Sequence, residues 1–345
     1  MEPGATPSAQ RALDNETHAV YISTLSQPLF CRIAEIFTAL GYSLYVIFRS
    51  KTHDFWSLEA NVFLQHQIEQ YKSDGYFLYK DLLSESQVAH FLSEIDRVCA
   101  GSTVAEHDST RLEMEPNQPL TGKRVRRVYE PCTYYEVFKS YSESQELLDP
   151  LEQILGPDIV YTSSKINVKP AEIGSVVEWH QDMAYGPLTN RSVVALLIYL
   201  DDADIENGCL QVIPGSVPML KHSRDGVFQG RITEPLDTSK AVHLPGKKGT
   251  ALFFNGLAPH ASSPNISSRP RRTLILGYRA ADAFPIHLGE QSVKSDQFAR
   301  IVRGHKSEVA RFDMDRVYVP NYPTNTKSLY ELQDLSRRTQ PSQVA

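Results

Sequence analysis

Trp179-His180-Gln181-Asp182 reads as the end of a β-strand, and that reading decides the architecture. Side chains along a strand alternate between faces, so His180 and Asp182 share one face while Gln181 points away. A histidine and a carboxylate placed this way supply two members of a two-His-one-carboxylate facial triad. Such a triad holds Fe(II) on one side and leaves the opposite positions open. The third member has to arrive from a partner strand. His260 is the natural candidate, because Thr250-Ala251-Leu252-Phe253-Phe254 is an apolar strand-like run that leads through Asn255-Gly256 into Pro259-His260-Ala261-Ser262. Arg271 follows, and a guanidinium beside an iron site is a planar fork matched to the far carboxylate of an oxo-acid such as 2-oxoglutarate. A His-x-Asp pattern alone is common, and in most proteins it marks a histidine satisfied by a neighbouring carboxylate or a surface strand end.

The flanking pattern is that of a sheet protein. Val193–Leu200 is an apolar run short enough for a buried strand, and Leu210–Ile213, Ala251–Phe254 and Thr273–Tyr278 add further strands. Together they predict a mainly β fold with flanking helices, whose core is two packed antiparallel sheets: a jelly roll, or cupin-like double-stranded β-helix, with the metal inside one open end. Upstream, Val62–Lys72 reads as a helix ended by Ser73-Asp74-Gly75, and Tyr76–Tyr79 as a strand. Ser84 and Gln87 form a capping box ahead of Val88, Phe91, Leu92, Ile95, Val98 and Cys99 at helical spacing.

At 345 residues, 41% hydrophobic and 22% charged, the chain is long enough for one large domain with extensions. Its formal charge of -6 argues against a nucleic-acid surface. The four cysteines, Cys31, Cys99, Cys132 and Cys209, are scattered without a CxxC, and read as reduced thiols rather than as a disulfide framework or zinc site. Residues 1–60 are expected to be an N-terminal extension, partly disordered. Met1–His18 are small, polar and Pro-containing, with no basic start followed by an apolar core, so a secretory signal is not expected there. Within it Leu29–Phe48 is the most apolar segment, but Arg32 and Glu35 interrupt it, so a packed helix is expected rather than a membrane span. Residues 61–315 are the expected jelly-roll domain and 316–345 a C-terminal arm, Pro-rich at Val319–Thr324, with a short closing helix at Ser328–Ser336.

Four blocks now go beyond any single motif. They are Ser164-Lys165-Ile166-Asn167-Val168-Lys169-Pro170, Glu178-Trp179-His180-Gln181-Asp182, Asn207-Gly208-Cys209-Leu210-Gln211-Val212-Ile213-Pro214-Gly215-Ser216, and His260-Ala261-Ser262-Ser263-Pro264-Asn265 with Arg269-Pro270-Arg271-Arg272. In this order, from about Tyr71 to about Gln333, the chain resembles the phytanoyl-CoA dioxygenase-like branch of the Fe(II)/2-oxoglutarate oxygenases. The resemblance implies that His180, Asp182 and His260 bind Fe(II), and that 2-oxoglutarate and O2 are consumed with release of succinate and CO2. It places Arg271 on the distal carboxylate of 2-oxoglutarate by the eleven-residue step from His260, with Arg269 and Arg272 as nearby rivals. It places Asn167 and Ser262 where family members contact the co-substrate. Thr273 shares the face of Arg271, although an ordinary strand threonine is the simpler reading. Related halogenases have a small residue in place of the acidic ligand, so Asp182 favours hydroxylation or another oxidation. Val217, where family members often have histidine after Pro-Gly-Ser, suggests a changed loop at the pocket rim.

Other features carry bland readings beside functional ones. The functional reading of Lys123-Arg124-Val125-Arg126-Arg127 is steering of an anionic substrate, but most such runs are solvated strand or loop faces. Tyr134 and Tyr135 are pocket-lining or packing residues, His222 and His243 structural or rim residues, and Glu206-Asn207-Gly208 only a turn. Three functions stay open: an active oxygenase acting on a small molecule in specialised or lipid-related metabolism, a silent jelly-roll binding protein, and a zinc hydrolase using the same triad. A homodimer is compatible with each. The cytoplasm is the expected location, with the peroxisome as the lesser alternative because Arg11–Ala19 faintly resembles a peroxisomal address.

Overall fold

The structure, a computed structural model, describes residues 46–49, 55–58, 65–116, 118–174, 176–215, 218–223, 230–286 and 296–319. The chain divides into two compact units, Met1–Ile68 and Glu69–Ala345. In the first, β1 (Val46–Arg49) pairs antiparallel with β2 (Phe55–Leu58). This corrects the reading of Leu29–Phe48 as one helix. Val46-Ile47-Phe48 is β-branched and aromatic, which suits extended backbone; the rest of that segment lies outside the described residues, as do Ser328–Ser336 and most of the Pro-rich stretch.

The capping box forms as the sequence predicts: Ser84 Oγ accepts from the Gln87 amide, and Gln87 Oε1 accepts from the Ser84 amide. Helix α1 (Gln65–Asp74) is followed at Gly75, whose φ is 80°, by β3 (Tyr76–Tyr79) and then by α2 (Glu85–Cys99). The buried face of α2 is Val88, Phe91 and Ile95, a spacing set by the 3.6-residue period. Next come β4 (Leu112–Met114) and β5 (Val125–Tyr129). Three short helices follow: α3 (Pro131–Tyr134), α4 (Glu136–Ser142) and α5 (Gln145–Leu155). From there the chain is almost all strand: β6 (Ile159–Lys169), β7 (Val177–His180), β8 (Val193–Tyr199), β9 (Leu210–Val212), β10 (Val242–Leu244), β11 (Ala251–Asn255), β12 (His260–Ser262), β13 (Arg271–Ala280) and β14 (Arg300–Arg303).

These strands make two antiparallel sheets. The larger runs β3-β11-β8-β13-β6-β5-β4, with β14 also on β6, and the smaller runs β10-β9-β12-β7. Between them lies a core that draws Ala195, Leu197 and Tyr199 from β8, Leu252 and Phe254 from β11, Leu210 and Val212 from β9, and Leu244 from β10. Alternation explains the selection, because every second residue of each strand faces the opposite sheet. On the other face of the large sheet, cross-strand partners Phe77 and Phe253 stack at 4.9 Å, and Tyr278 donates to the Ser142 carbonyl at the end of α4. Helices therefore close the outer face and leave the space between the sheets for the site.

Register decides what enters that space. On β13, Arg271, Thr273 and Ile275 lie opposite Lys169, Asn167 and Lys165 of β6, and Arg127 of β5 lies opposite Asn167. The inner face of one sheet thus carries four basic residues and an amide in adjacent rows.

Candidate metal centre

β7 and β12 bring the two histidines together. His180 and His260 are register partners, and their ring centroids stand 4.1 Å apart. Asp182 lies just beyond β7, in a short 3-10 turn over Asp182–Ala184; Gln181 is still extended, so the expected alternation persists past the strand's end. One Asp182 carboxylate oxygen is 3.8 Å from His180 Nε2 and 3.7 Å from His260 Nε2. Among the described residues, His180, Asp182 and His260 form a group whose donor atoms lie within 4.8 Å of one another.

Each imidazole is oriented from behind. His180 Nδ1 lies 2.7 Å from the Glu178 carbonyl and His260 Nδ1 lies 3.0 Å from the Ala258 carbonyl. A carbonyl only accepts, so each Nδ1 carries the proton and each Nε2 presents a lone pair toward the shared centre. This is the arrangement that fixes the tautomer of metal-binding histidines. Burial, and then the neighbouring His260, push His180 down to about 3, which keeps the ring neutral. Burial resists ionisation of Asp182, but His260, Lys165 and His180 outweigh it and hold the carboxyl below its ordinary range. Two imidazole nitrogens and one carboxylate suit Fe(II), and the same donors would also accept zinc.

Local bonds hold this group in place. Gln181, buried between the two candidate ligands, turns away and ties three neighbouring backbones. Its amide donates to the carbonyls of Pro218 and Leu257 at 3.1 and 2.5 Å and accepts from the Leu220 amide at 2.7 Å. The Asn255-Gly256 turn is equally engaged. The Asn255 side chain bonds the Arg191 carbonyl and the Leu257 amide, and the Gly256 carbonyl receives the Met183 amide at 3.0 Å. Tyr185 sets its ring edge against His180 at 5.7 Å.

The other candidate residues gather on the same inner face. Arg271 is buried and donates to the Gly208 carbonyl at 2.8 Å. Its rivals are engaged elsewhere: Arg272 faces the other way onto Asp201 at 2.7 Å, and Arg269 pairs with Asp204 near the surface. Ser262 is buried, with its hydroxyl 2.8 Å from Lys169 Nζ, which also donates to the Ser263 carbonyl. The Asn167 amide oxygen accepts from Arg127 Nε at 3.0 Å. Thr273 is fully buried, its hydroxyl 3.5 Å from the Asn167 carbonyl. Lys165 completes the row, and burial depresses its pKa against the opposing pull of Asp182.

A cavity of about 540 Å³ opens at the triad, lined by His180 and Asp182, by Lys165 and Arg127, and by apolar groups that include Leu188, Val194 and Ile275. Lys165, Lys169 and Tyr185 were not singled out by sequence reasoning, although the Lys-x-Asn-x-Lys alternation of 165, 167 and 169 was the available signal. The basic run at 123–127 is corrected in part. Arg126 and Arg127 are buried, because β5 pairs with β6 and turns Arg127 into the interior. Tyr134 is a surface residue under the Arg111 guanidinium, 3.3 Å from its ring centre, and His243 is exposed, whereas His222 is buried against Tyr318. Gly208 is more than a turn. At φ 78° it lets the chain pass so near Ser263 and Lys169 that a side chain would collide. Ser216 and Val217 lie outside the described residues, and no helix among the described residues is long and apolar enough to cross a membrane.

Comparison with known proteins agrees with this geometry. The profile of the phytanoyl-CoA dioxygenase (PhyH) family matches residues 71–273. The chain is 32% identical over 229 residues to a probable alpha-ketoglutarate-dependent hypophosphite dioxygenase of Stutzerimonas stutzeri, covering 64% of this chain and 80% of that one. It is 27% identical to the peroxisomal phytanoyl-CoA dioxygenase of Bos taurus, covering 76% and 82%. Among solved structures, EctD from S. alaskensis with 2-oxoglutarate and 5-hydroxyectoine shares the fold, with a TM-score of 0.53 at 23% identity over 66% of this chain and 80% of that one.

Proposed function

Since the chain belongs to the phytanoyl-CoA dioxygenase family and is an Fe(II)- and 2-oxoglutarate-dependent oxidoreductase that uses O2, we propose that His180, Asp182 and His260 hold its iron and that Arg271 takes the distal carboxylate of 2-oxoglutarate. Asn167 and Ser262 are the further co-substrate contacts in this reading. The observation that carries it is the triad itself: three donor atoms within 4.8 Å, with both Nδ1 atoms already engaged by backbone carbonyls.

Iron with 2-oxoglutarate and oxygen supplies the oxidant, and succinate and CO2 are the co-products. The chain's part is to bind, aim and exclude. The backbone carbonyls behind His180 and His260 orient both rings and leave each Nε2 pointed inward. The Gly208 carbonyl sets the Arg271 fork, whose planar geometry suits a carboxylate better than a lysine would. Leu188, Val194 and Ile275 keep the cavity wall apolar, which limits water near the reacting bond. Asp182 would supply a carboxylate ligand where related halogenases have a small residue, so oxygen insertion or another oxidation is the expected outcome.

The substrate is a small molecule, and we assign it to specialised or lipid-related metabolism; relatives are named for hypophosphite, ectoine and phytanoyl-CoA. The free thiols of Cys99, Cys132 and Cys209 support a reducing compartment such as the cytoplasm. The test is anaerobic addition of Fe(II) and 2-oxoglutarate, which should give a visible charge-transfer band, followed by a succinate-release screen over acyl-CoAs, amino acids and terpenoid scaffolds. A wild-type protein that binds neither iron nor 2-oxoglutarate would sink the residue assignment.

A further inference from the structure

A β-bulge interrupts the alternation of β6 at the cavity. Ser163 is the register partner of Gly277 and Tyr161 that of Tyr278, so Thr162 is the extra residue. Bulges re-aim side chains, and this one sets two successive hydroxyls against the same glycine. A side chain at Gly277 would collide with the Thr162 hydroxyl and crowd that of Ser163. Thr162 and Ser163 both line the cavity that reaches His180 and Asp182. Among the described residues neither hydroxyl has a hydrogen-bond partner.

Arg279 shares the inner face of β13 with Gly277 and lines the same cavity, together with Asp296. Its buried guanidinium donates to the Ala283 carbonyl at 2.6 Å and pairs with one Asp296 oxygen at 2.9 Å. Those bonds occupy two of the five N–H donors of an arginine. Asp296 is half-buried, and among the described residues its carboxylate is held by Arg279 alone. A closed ion pair carries no net charge, and once desolvated it gains from further bonds to its remaining protons and lone pairs. A charged ligand would meet a like charge on one side of the pair. A hydroxyl both donates and accepts, so it answers both sides.

The co-substrate does not account for this end of the cavity. In the reading above, the two carboxylates of 2-oxoglutarate go to the metal and to Arg271. Arg279 lies eight residues beyond Arg271 on one strand, about 26 Å at roughly 3.3 Å per residue. Even if each side chain reached about 7 Å toward the other, roughly 12 Å would remain, longer than a five-carbon diacid with bonds of about 1.5 Å. Arg279 is moreover tied to Ala283 and Asp296, which follow the strand.

We propose that Thr162, Ser163 and the Arg279–Asp296 pair form a subsite for a neutral, polyhydroxylated end of the prime substrate, of the kind a sugar ring or polyol presents. The apolar remainder of the substrate lies along Val194, Ala195 and Ile275, and the subsite sets which of its carbons faces the metal. The assignment rests on the iron and 2-oxoglutarate reading.

The experiment is to form the anaerobic Fe(II)–2-oxoglutarate complex, identified by its visible charge-transfer band, and to titrate it by calorimetry with hexyl glucoside, hexanoate and hexylammonium. Saturable binding of the glucoside is expected, with each ion at least about tenfold weaker. The double variant Thr162→Val/Ser163→Ala should weaken the glucoside by about tenfold, the scale of two neutral hydrogen bonds. Asp296→Asn leaves the Arg279 charge unopposed, so hexanoate should bind it about tenfold tighter than it binds wild type. Both variants should keep their affinity for 2-oxoglutarate, and melting curves establish that they are folded. The proposal is overturned if wild type does not bind the glucoside, if either ion binds as tightly, or if the double variant binds it as wild type does. It is also overturned if Asp296→Asn folds and leaves hexanoate unchanged, or if the double variant loses 2-oxoglutarate as severely as Arg271→Ala. Absence of the band in wild type is instead the failure of the iron reading, and this proposal falls with it.

Discussion

Arg271 and Lys169 face each other as cross-strand partners in the protein interior, two cations side by side on β13 and β6. Like charges directly opposite each other destabilise an antiparallel pair. Oxygens of Gly208, Ser262 and Ser263 accept hydrogen bonds from these two groups. A dianion bound at Arg271 would add an opposite charge to this pair, and any ligand that binds only the folded state stabilises it, so the co-substrate is expected to stabilise the fold as well as to react.

Under anaerobic conditions with metal present, 2-oxoglutarate at a hundred times its dissociation constant should stabilise the protein by about 2.7 kcal/mol, read as a rise in melting temperature. Arg271→Ala should lose roughly tenfold to a hundredfold in 2-oxoglutarate affinity while still binding iron. Arg269→Ala and Arg272→Ala should not, since each arginine is engaged by an aspartate away from the inner face. Equilibrium titration of the charge-transfer band separates the three variants, and a clamp phenotype in either rival would displace Arg271.

Asp182→Ala and His260→Ala are each expected to abolish the band and to lose stoichiometric iron. Chelation of wild type should leave the fold intact, because the rings are held by the Glu178 and Ala258 carbonyls and the turn by Asn255, none of which needs the metal. Metal analysis with far-UV circular dichroism checks both halves. Collapse of the protein on chelation would show that the site is assembled by iron instead.

Gly208→Ala tests the close approach behind the clamp. The residue has φ 78°, and a methyl group would meet the Ser263 carbonyl. Strain of this kind costs about 1–3 kcal/mol. The expected result is a lower melting temperature together with weaker 2-oxoglutarate binding, because the carbonyl that aims Arg271 must move. A variant with wild-type values of both would disconnect the turn from the site.

The thiols give a pH-dependent check on the fold. Burial pushes Cys132 up to about 12, and burial with the nearby Asp96 pushes Cys99 up to about 11. At pH 8 both stay protonated when folded, so iodoacetamide should label them far more slowly than in urea-unfolded protein, as followed by mass spectrometry. An unfolded thiol deprotonates near 8.5 and the folded ones well above it. Stability from these groups is therefore unaffected below about pH 8.5 and is lost as pH climbs toward the folded values. Equal labelling rates in folded and unfolded protein would contradict the burial.

The gathering of His180, Asp182 and His260 was legible because it depends on local alternation and on one apolar strand ending in a turn. The same holds for the Ser84–Gln87 cap and for strands such as Val193–Tyr199. In the sequence only the eleven-residue step from His260 separated Arg271 from Arg272; that the two point to opposite faces of β13 is a fact of register rather than of local composition. Lys165 and Lys169 escaped notice, and Arg127 was read only within a basic run, for the same reason: lysines and arginines read as solvent-facing until β5, β6 and β13 are laid side by side. At the amino-terminal side, hydrophobicity alone suggested a helix where Val46–Arg49 is strand, since an apolar run has no period of its own.

Gln181 stands between two candidate iron ligands, yet it grips the rim segments through main-chain atoms alone, at Pro218, Leu220 and Leu257. Every amino acid supplies a carbonyl, and all but proline supply an amide hydrogen. These bonds therefore place no demand on the side chains of the segments they hold, and the demand that remains is packing, since Met219 and Leu257 share a core cluster with Met183 next to Asp182.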